Sequence, residues 1–261
     1  MLKRKKVPIK GEKEIAKMRV AGALTAKVLT AVSPLIKAGT TTAEIDSFCH
    51  NYIINQLHAI PGSLGQYGYP HTVNTSINEV VCHGWPSDRK LVNGDIINVD
   101  VTVKKDGFYG DSSVTFIVGD TSEEGQKLIK TTQECLYKAI RLVKPGATLG
   151  DIGACIQNHA EKNGYSVVRE FCGHGIGSKM HEEPNVLHYG SRGKGLVLQE
   201  GMTFTIEPMI NQGTEDTITL KDGWTVITAD NKLSAQFEHT VLVTQKGVEV
   251  LTLRSDEDFK V

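Results

Sequence analysis

Apolar residues recur at helical spacing between positions 12 and about 33 (Ile15, Met18, Ala21, Leu24, Val28, Leu29, Val32), and Pro34 stops the run. A second helix is predicted over 42–57, entered through Gly39-Thr-Thr-Thr with Glu44 in its first turn. Residues 60–74, rich in Gly, Pro and Tyr, read as a loop. Strands follow at about 78–82, 95–103 and 107–118, with Lys105-Asp106-Gly107 turning between the last two. The pattern then starts again. Helices are predicted at about 122–142 and 149–163, and strands around 166–170, 202–209, 215–220, 224–229 and 237–244. Asp222-Gly223 and Ala229-Asp230-Asn231 mark hairpin turns. The expected class is α+β, a curved antiparallel sheet covered by helices with a site on its open face.

The restart is a repeat in a single register. Leu35-Ile-Lys-Ala-Gly39 through Ile45 matches Leu142-Val-Lys-Pro-Gly146 through Ile152, 107 positions on. At the same offset Gly94-Asp-Ile-Ile-Asn-Val-Asp100 matches Gly201-Met-Thr-Phe-Thr-Ile-Glu207. One domain over 1–261 is expected, with a tail at 1–10 and halves at about 11–118 and 119–254. Each half sets one carboxylate on an otherwise apolar strand, so the site belongs on the pseudo-symmetry axis between them.

At 261 residues a single fold buries roughly 70–75% of its unfolded surface and needs no staples. A net charge of −1 provides no global field for DNA or acidic lipid. The five cysteines are scattered without a CxxC pair, which reads as reduced thiols in a cytoplasmic protein. No apolar stretch follows Met-Leu-Lys-Arg-Lys-Lys, and no run reaches the ~18 residues of a membrane span. That basic start reads as a solvated tail, with ribosomal RNA as the polyanion it would suit.

Alternation puts Asn98, Asp100 and Thr102 on one strand face, opposite Ile97, Val99, Val101 and Val103. The next strand brings Asp111 to the same spot. In the second half Thr203, Thr205 and Glu207 share a face, and the last strand brings Glu238. Each acid alone has a plainer explanation: Asp111 as a turn residue, Glu207 as a strand end before Pro208, Glu238 and His239 as an exposed cross-strand pair. Together, in a repeated register, they do not. Two unit charges 4 Å apart repel by about 4 kcal/mol at an effective dielectric near 20. Four clustered carboxylates need cations, and a pair of divalent ions about 3.5–4 Å apart is the economical answer. His174, flanked by glycines in Cys172-Gly-His174-Gly-Ile-Gly177, adds the nitrogen that favours a transition metal.

These stretches, with Ser76-Ile-Asn78-Glu-Val-Val-Cys-His83-Gly84, Gly110-Asp111-Ser-Ser, Thr205-Ile-Glu207-Pro208 and Gln236-Phe-Glu238-His239-Thr240, resemble the type I methionine aminopeptidases in their short bacterial-like form, over about residues 8–254. The resemblance implies the pita-bread fold and hydrolytic removal of the initiator methionine from nascent proteins with a small second residue. It implies two divalent ions (Fe(II), Mn, Co or Zn) on Asp100, Asp111, His174, Glu207 and Glu238, with Asp111 and Glu238 bridging. A metal-activated bridging water would be the nucleophile, Glu207 the proton shuttle, and His83 and His181 the groups acting on substrate. Nascent chains are the implied partners, with the ribosome beside them; a monomer is expected.

Tyr69, Trp224 and Met180 are candidate walls of the methionine pocket. Ser63 and Asn74 stand where such relatives carry cysteines, and Gln66 and Met180 where aromatics are common. Asn78, Val80 and Ser234 match positions that bind a monovalent cation through the backbone. Met1 is expected to be retained, because Leu2 follows it. Competing readings are a proline-directed peptidase of the same fold, whose members usually carry a long extra N-terminal domain, and a non-catalytic ribosome- or RNA-binding relative, which would lose metal ligands. A metal-dependent hydrolase of small amides is a third.

Overall fold

A computed structural model describes residues 6–260; the first five residues of the basic tail and residue 261 lie outside the described residues. Helix α1 (Glu12–Val32) ends in a 3-10 turn, Ser33–Leu35, that contains Pro34. Helix α2 (Thr42–Asn51) continues as a π-turn, Tyr52–Gln56, which carries the helical pattern to the predicted end. Helices α3 (Glu123–Ile140) and α4 (Leu149–Lys162) are their counterparts in the second half.

The strands of the first half are β1 (Ile60–Pro61), β2 (Val73–Ile77), β3 (Val80–Cys82), β4 (Ile96–Lys105) and β5 (Phe108–Ile117). Those of the second begin with β6 (Ser166–Val167), β7 (Gly173–Gly175), β8 (Glu182–Val186), β9 (Thr203–Ile206) and β10 (Met209–Asn211). They end with β11 (Thr217–Thr219), β12 (Val226–Thr228), β13 (Ser234–Gln236), β14 (Glu238–Val243) and β15 (Val248–Val250). The main sheet runs β1-β4-β5-β14-β9-β7-β8, with β2 also on β4 and β15 also on β14. Its halves meet where β5 pairs antiparallel with β14, at Glu238↔Ser113 and His239↔Ser112.

The repeat survives as geometry. Thr41 and Thr148 each cap a helix and close a capping box with Glu44 and Asp151. Each also makes an isolated bridge, Thr41 to Lys90 and Thr148 to Val197, again 107 positions apart. Such caps satisfy backbone N–H groups that the first helical turn leaves unpaired.

Ile97, Val99, Val101 and Val103 are fully buried against Val28, Leu29 and Val32 of α1, as the alternation predicts. Helix α1 reaches the sheet through a contact only glycine permits: a Cβ on Gly110 would stand 2.7 Å from Gly22 Cα. Thr25 Oγ1 donates across the same contact to the Gly110 carbonyl at 2.9 Å. The other face of β4 is buried too, because Asn98 and Thr102 lie under the site rather than in solvent.

Several boundaries differ from expectation. The 60–74 segment holds β1 and the start of β2, and the predicted 78–82 strand begins only at Val80, after a turn at Asn78 whose φ is 54°. The 202–209 strand breaks at Glu207-Pro208 into β9 and β10, since proline cannot donate to the ladder. Strand β6 stops at Val167, short of the expected 170. Strands β7, β8 and β15 have no counterpart in the expected layout.

Candidate metal and catalytic site

Three neighbouring strands set the acids in a row. Asp100 on β4 faces Ser113 on β5, which faces Glu238 on β14. One pleat along, Asp111 faces Thr102, whose hydroxyl donates to Asp111 Oδ1 at 2.8 Å. Glu207 follows β9, where its Oε1 accepts from Thr205 Oγ1 at 2.7 Å and its backbone N–H donates to His188 Nε2 at 3.2 Å. His174 arrives on β7, its N–H held by Thr205 Oγ1 at 2.9 Å. The plainer reading of Glu238 and His239 as an exposed pair fails: both are buried, and His239 bonds Thr252 and Glu257 behind the sheet.

His174 Nδ1 lies 3.0 Å from the Gly175 carbonyl, which can only accept, so that nitrogen carries the proton. Its Nε2 therefore presents a lone pair, 3.8 Å from Asp111 Oδ2 and 3.6 Å from Glu207 Oε1. This is the arrangement by which a metal-binding histidine is oriented through its other nitrogen. Ligand atoms of Asp111, His174 and Glu238 all lie within 4.8 Å of one another. Asp100 Oδ2 accepts from Asn74 Nδ2 at 3.2 Å, while the buried Oδ1 has no protein partner.

Burial pushes the Asp100 carboxyl up to about 6 and the Glu207 carboxyl up to about 8, the latter helped by the charge of Asp100. Burial and neighbouring acids drive Asp111 and Glu238 well above the usual range. Burial, then the nearby His181, brings His174 down to about 3, which keeps it neutral. Four acids that resist ionisation beside a neutral imidazole and an unpartnered carboxylate oxygen form a donor set that fits divalent metal.

Above this floor opens a cavity of about 1200 Å³. His83, Tyr69, Trp224, Met180, Ser63, Gln66 and Asn74 all line it, as does His181 at its exposed mouth. Tyr69 and Trp224 meet nearly edge-on with centroids 5.0 Å apart, and Tyr69 is fixed by donating to the Val73 carbonyl at 3.0 Å. Met180 also packs against the cluster that holds Met18, Tyr109 and Ile176. Burial, then His181, lowers His83 to about 4. Its ring stands edge-on to Phe171, 5.5 Å away.

Sequence reasoning missed Phe171, Tyr67 and His188. The first two sit in loops without periodicity; His188 is wholly buried, and only its bond to the Glu207 backbone reveals it. It also missed the pair of Lys10 Nζ and Glu182 Oε2, 2.5 Å apart and almost wholly buried, which ties the chain before α1 to the turn carrying His181. Away from the cavity, Asn78 and Ser234 are brought together, the Asn78 carbonyl accepting from Ser234 N–H at 2.8 Å. Val80 begins β3 opposite Ile227.

Residues 16–245 match the model of metallopeptidase family M24. The methionine aminopeptidase of Escherichia coli strain K12 is 57% identical over 252 residues, 96% of each chain. That of Rickettsia prowazekii is 52% identical over 248 residues, 95% of each. A solved methionine aminopeptidase from Rickettsia prowazekii superposes with a TM-score of 0.93, covering 95% of this chain and 100% of that one. One from Thermotoga maritima gives 0.92 at 42% identity, covering 95% and 99%. A prolidase from Pyrococcus horikoshii shares the fold more distantly, with a TM-score of 0.75 at 25% identity, and this chain spans 64% of its length. The architecture is thus the α+β pita-bread fold that the resemblance implies, with the paired halves that the repeat anticipates. Matched over nearly its whole length by relatives at half or more identity, the chain belongs to metallopeptidase family M24 and, within it, to the methionine aminopeptidases.

Proposed function

We propose that the chain hydrolyses the first peptide bond of nascent polypeptides, releasing N-terminal methionine and preferring a small second residue. The observation that carries this is the joining of acids from both halves with His174 on the floor of a cavity large enough for a peptide terminus. Identity of 57% to a methionine aminopeptidase, against 25% to a prolidase, favours methionine over proline-directed cleavage. The intact acid set argues against a purely binding role.

Asp100, Asp111, His174, Glu207 and Glu238 are the residues that would hold two divalent ions. Bound there, such ions bring the pKa of water toward neutrality and polarise a carbonyl. Glu207 is assigned to carry the proton from the attacking water to the leaving amine. His181 is assigned to the carbonyl oxygen, where charge develops, and His83 to the scissile amide nitrogen. Both are held neutral by the protein around them, so each offers one N–H and one lone pair.

Tyr69, Trp224, Met180, Ser63 and Asn74 are assigned to the methionine side chain, which needs an apolar and polarisable wall. Asn78, Val80 and Ser234 are assigned to a monovalent cation, supported by the close approach of Asn78 and Ser234. No helix among the described residues is long and apolar enough to cross a membrane. We read the chain as a monomeric enzyme of the cytoplasm, organised as one domain and meeting nascent chains near the ribosome. Methionine release from Met-Ala-Ser and Met-Leu-Ser tests the proposal, before and after chelation and on adding back Mn, Fe(II), Co or Zn. Cleavage of Met-Ala-Ser alone, lost with chelator and restored by metal, is expected. No release with any metal from folded protein would overturn it.

A further inference from the structure

We propose that Tyr67 is a positioning residue that sets the tautomer of His181, so that the imidazole meets the substrate with its Nε2–H. This rests on the assignment of His181 to the substrate carbonyl. Tyr67 is the most exposed aromatic side chain among the described residues, 75% accessible at the cavity mouth, so packing does not explain its presence. Its backbone is held at φ 49°, in the left-handed region that an aromatic residue rarely adopts.

The turn around it enforces that conformation. Gly65 at φ 81° and Gly68 at φ 88° flank it. Gly65 N–H donates to the Tyr69 carbonyl and Tyr69 N–H to the Gln66 carbonyl, both at 2.8 Å. Strain maintained by a closed turn marks a side chain that has to be in one place. That place is beside His181: the rings lie 5.6 Å apart, and Tyr67 Oη is 3.3 Å from His181 Nδ1.

A neutral imidazole has one N–H and one lone pair. With Nδ1 facing Tyr67, Nε2 is the nitrogen left for the peptide. A phenol O–H donating to Nδ1 fixes the proton on Nε2, and Nε2 can then donate to the oxygen that becomes an oxyanion. Without that donor the proton divides between the two nitrogens, and only part of the enzyme presents the useful form. His174, with its ring 4.3 Å from His181, is no competing donor to it, because its Nδ1–H is spent on Gly175.

Tyr67→Phe keeps the ring and removes only the hydroxyl at an exposed position, so the protein is expected to fold normally. On Met-Ala-Ser with Mn(II), kcat is expected to fall about three- to tenfold, the worth of one hydrogen bond, with KM little changed. Long-range proton–nitrogen spectra of the zinc-loaded protein are expected to show His181 as the Nε2–H tautomer in the parent and as a mixture in Tyr67→Phe. The double variant Tyr67→Phe/His181→Ala is expected to be no slower than His181→Ala alone, because both act through one group. Parental kcat in Tyr67→Phe, an Nδ1–H tautomer in the parent, or additive losses in the double variant would overturn the proposal. Parental turnover in His181→Ala would overturn the assignment beneath it, a result that Tyr67→Phe alone cannot produce.

Discussion

Asp100 shows how a single residue is conditioned by its strand. Alternation on β4 turns it toward the acids while Val99 and Val101 enter the core, and Asn74 satisfies one of its two oxygens. Asp100→Asn should weaken metal binding and activity together, read by metal content after dialysis and by turnover. His181→Ala should cost about 10²-fold in turnover, as loss of an oxyanion donor does, with metal content unchanged. Loss of both would instead place His181 among the ligands. Asp100 and Glu207 were legible because strand alternation and the repeated register confine where they point, Asp111 and Glu238 through the strands beside them, and His174 through the glycines on either side of it. Tyr67 and Phe171 were not, since loop residues reach the cavity through tertiary contacts that no local pattern encodes. His188 was equally hidden: a buried histidine reads as core until its bond to Glu207 is seen.

Elements were legible where local chemistry decides them. The helices announce themselves through Thr41 and Thr148 with Glu44 and Asp151, and the repeated geometry makes a paired prediction. Thr41→Ala and Thr148→Ala should each cost about 1 kcal/mol, measured by urea unfolding, and their effects should add because the caps are remote in sequence and share no bond. Strands β7 and β8 were illegible for a reason of the same kind. Gly173-His174-Gly175 has no β-branched residue, and β8 contains Pro184, so their pairing with each other and with β9 is imposed from outside. Strand β2 did carry alternation, at Val73, Thr75 and Ile77, but the glycines and proline before it mask the signal. The contact of α1 with β5 was invisible in sequence and is unforgiving in structure. Gly110→Ala should destabilise the protein by roughly 3 kcal/mol, through overpacking against Gly22, and lower its thermal midpoint.

At the scale of the molecule, the acids that qualify the site for metal oppose the metal-free fold. Asp100 and Glu207 hold protons up to about 6 and about 8, above their unfolded values near 4. Between those limits the native state binds more protons than the unfolded chain, so stability is greatest below the lower limit and falls as pH rises through the upper one. Glu257 works in the opposite sense: against the effect of burial, its bond to His239 brings it down to about 2, so its contribution is lost only in stronger acid. Buried His83, His174 and His188, brought down to about 4, 3 and 3, act in the opposite sense in acid, so the comparison belongs above their range. The chelated protein should melt at a higher temperature at pH 7 than at pH 8.5, and Mn(II) should restore the loss at pH 8.5. Equal melting temperatures without metal would contradict the burial of these carboxyls. The seam between β5 and β14 has a further consequence, for biosynthesis. Strand β5 is translated more than a hundred residues before β14, so at 5–20 residues per second its edge waits roughly 6–25 s for its partner. During that interval the first half is a growing chain with an open strand edge, the form most prone to pair with a neighbour. An enzyme proposed to act on unfinished proteins thus passes through a hazardous unfinished state of its own, and a chain halted before residue 238 can never close it.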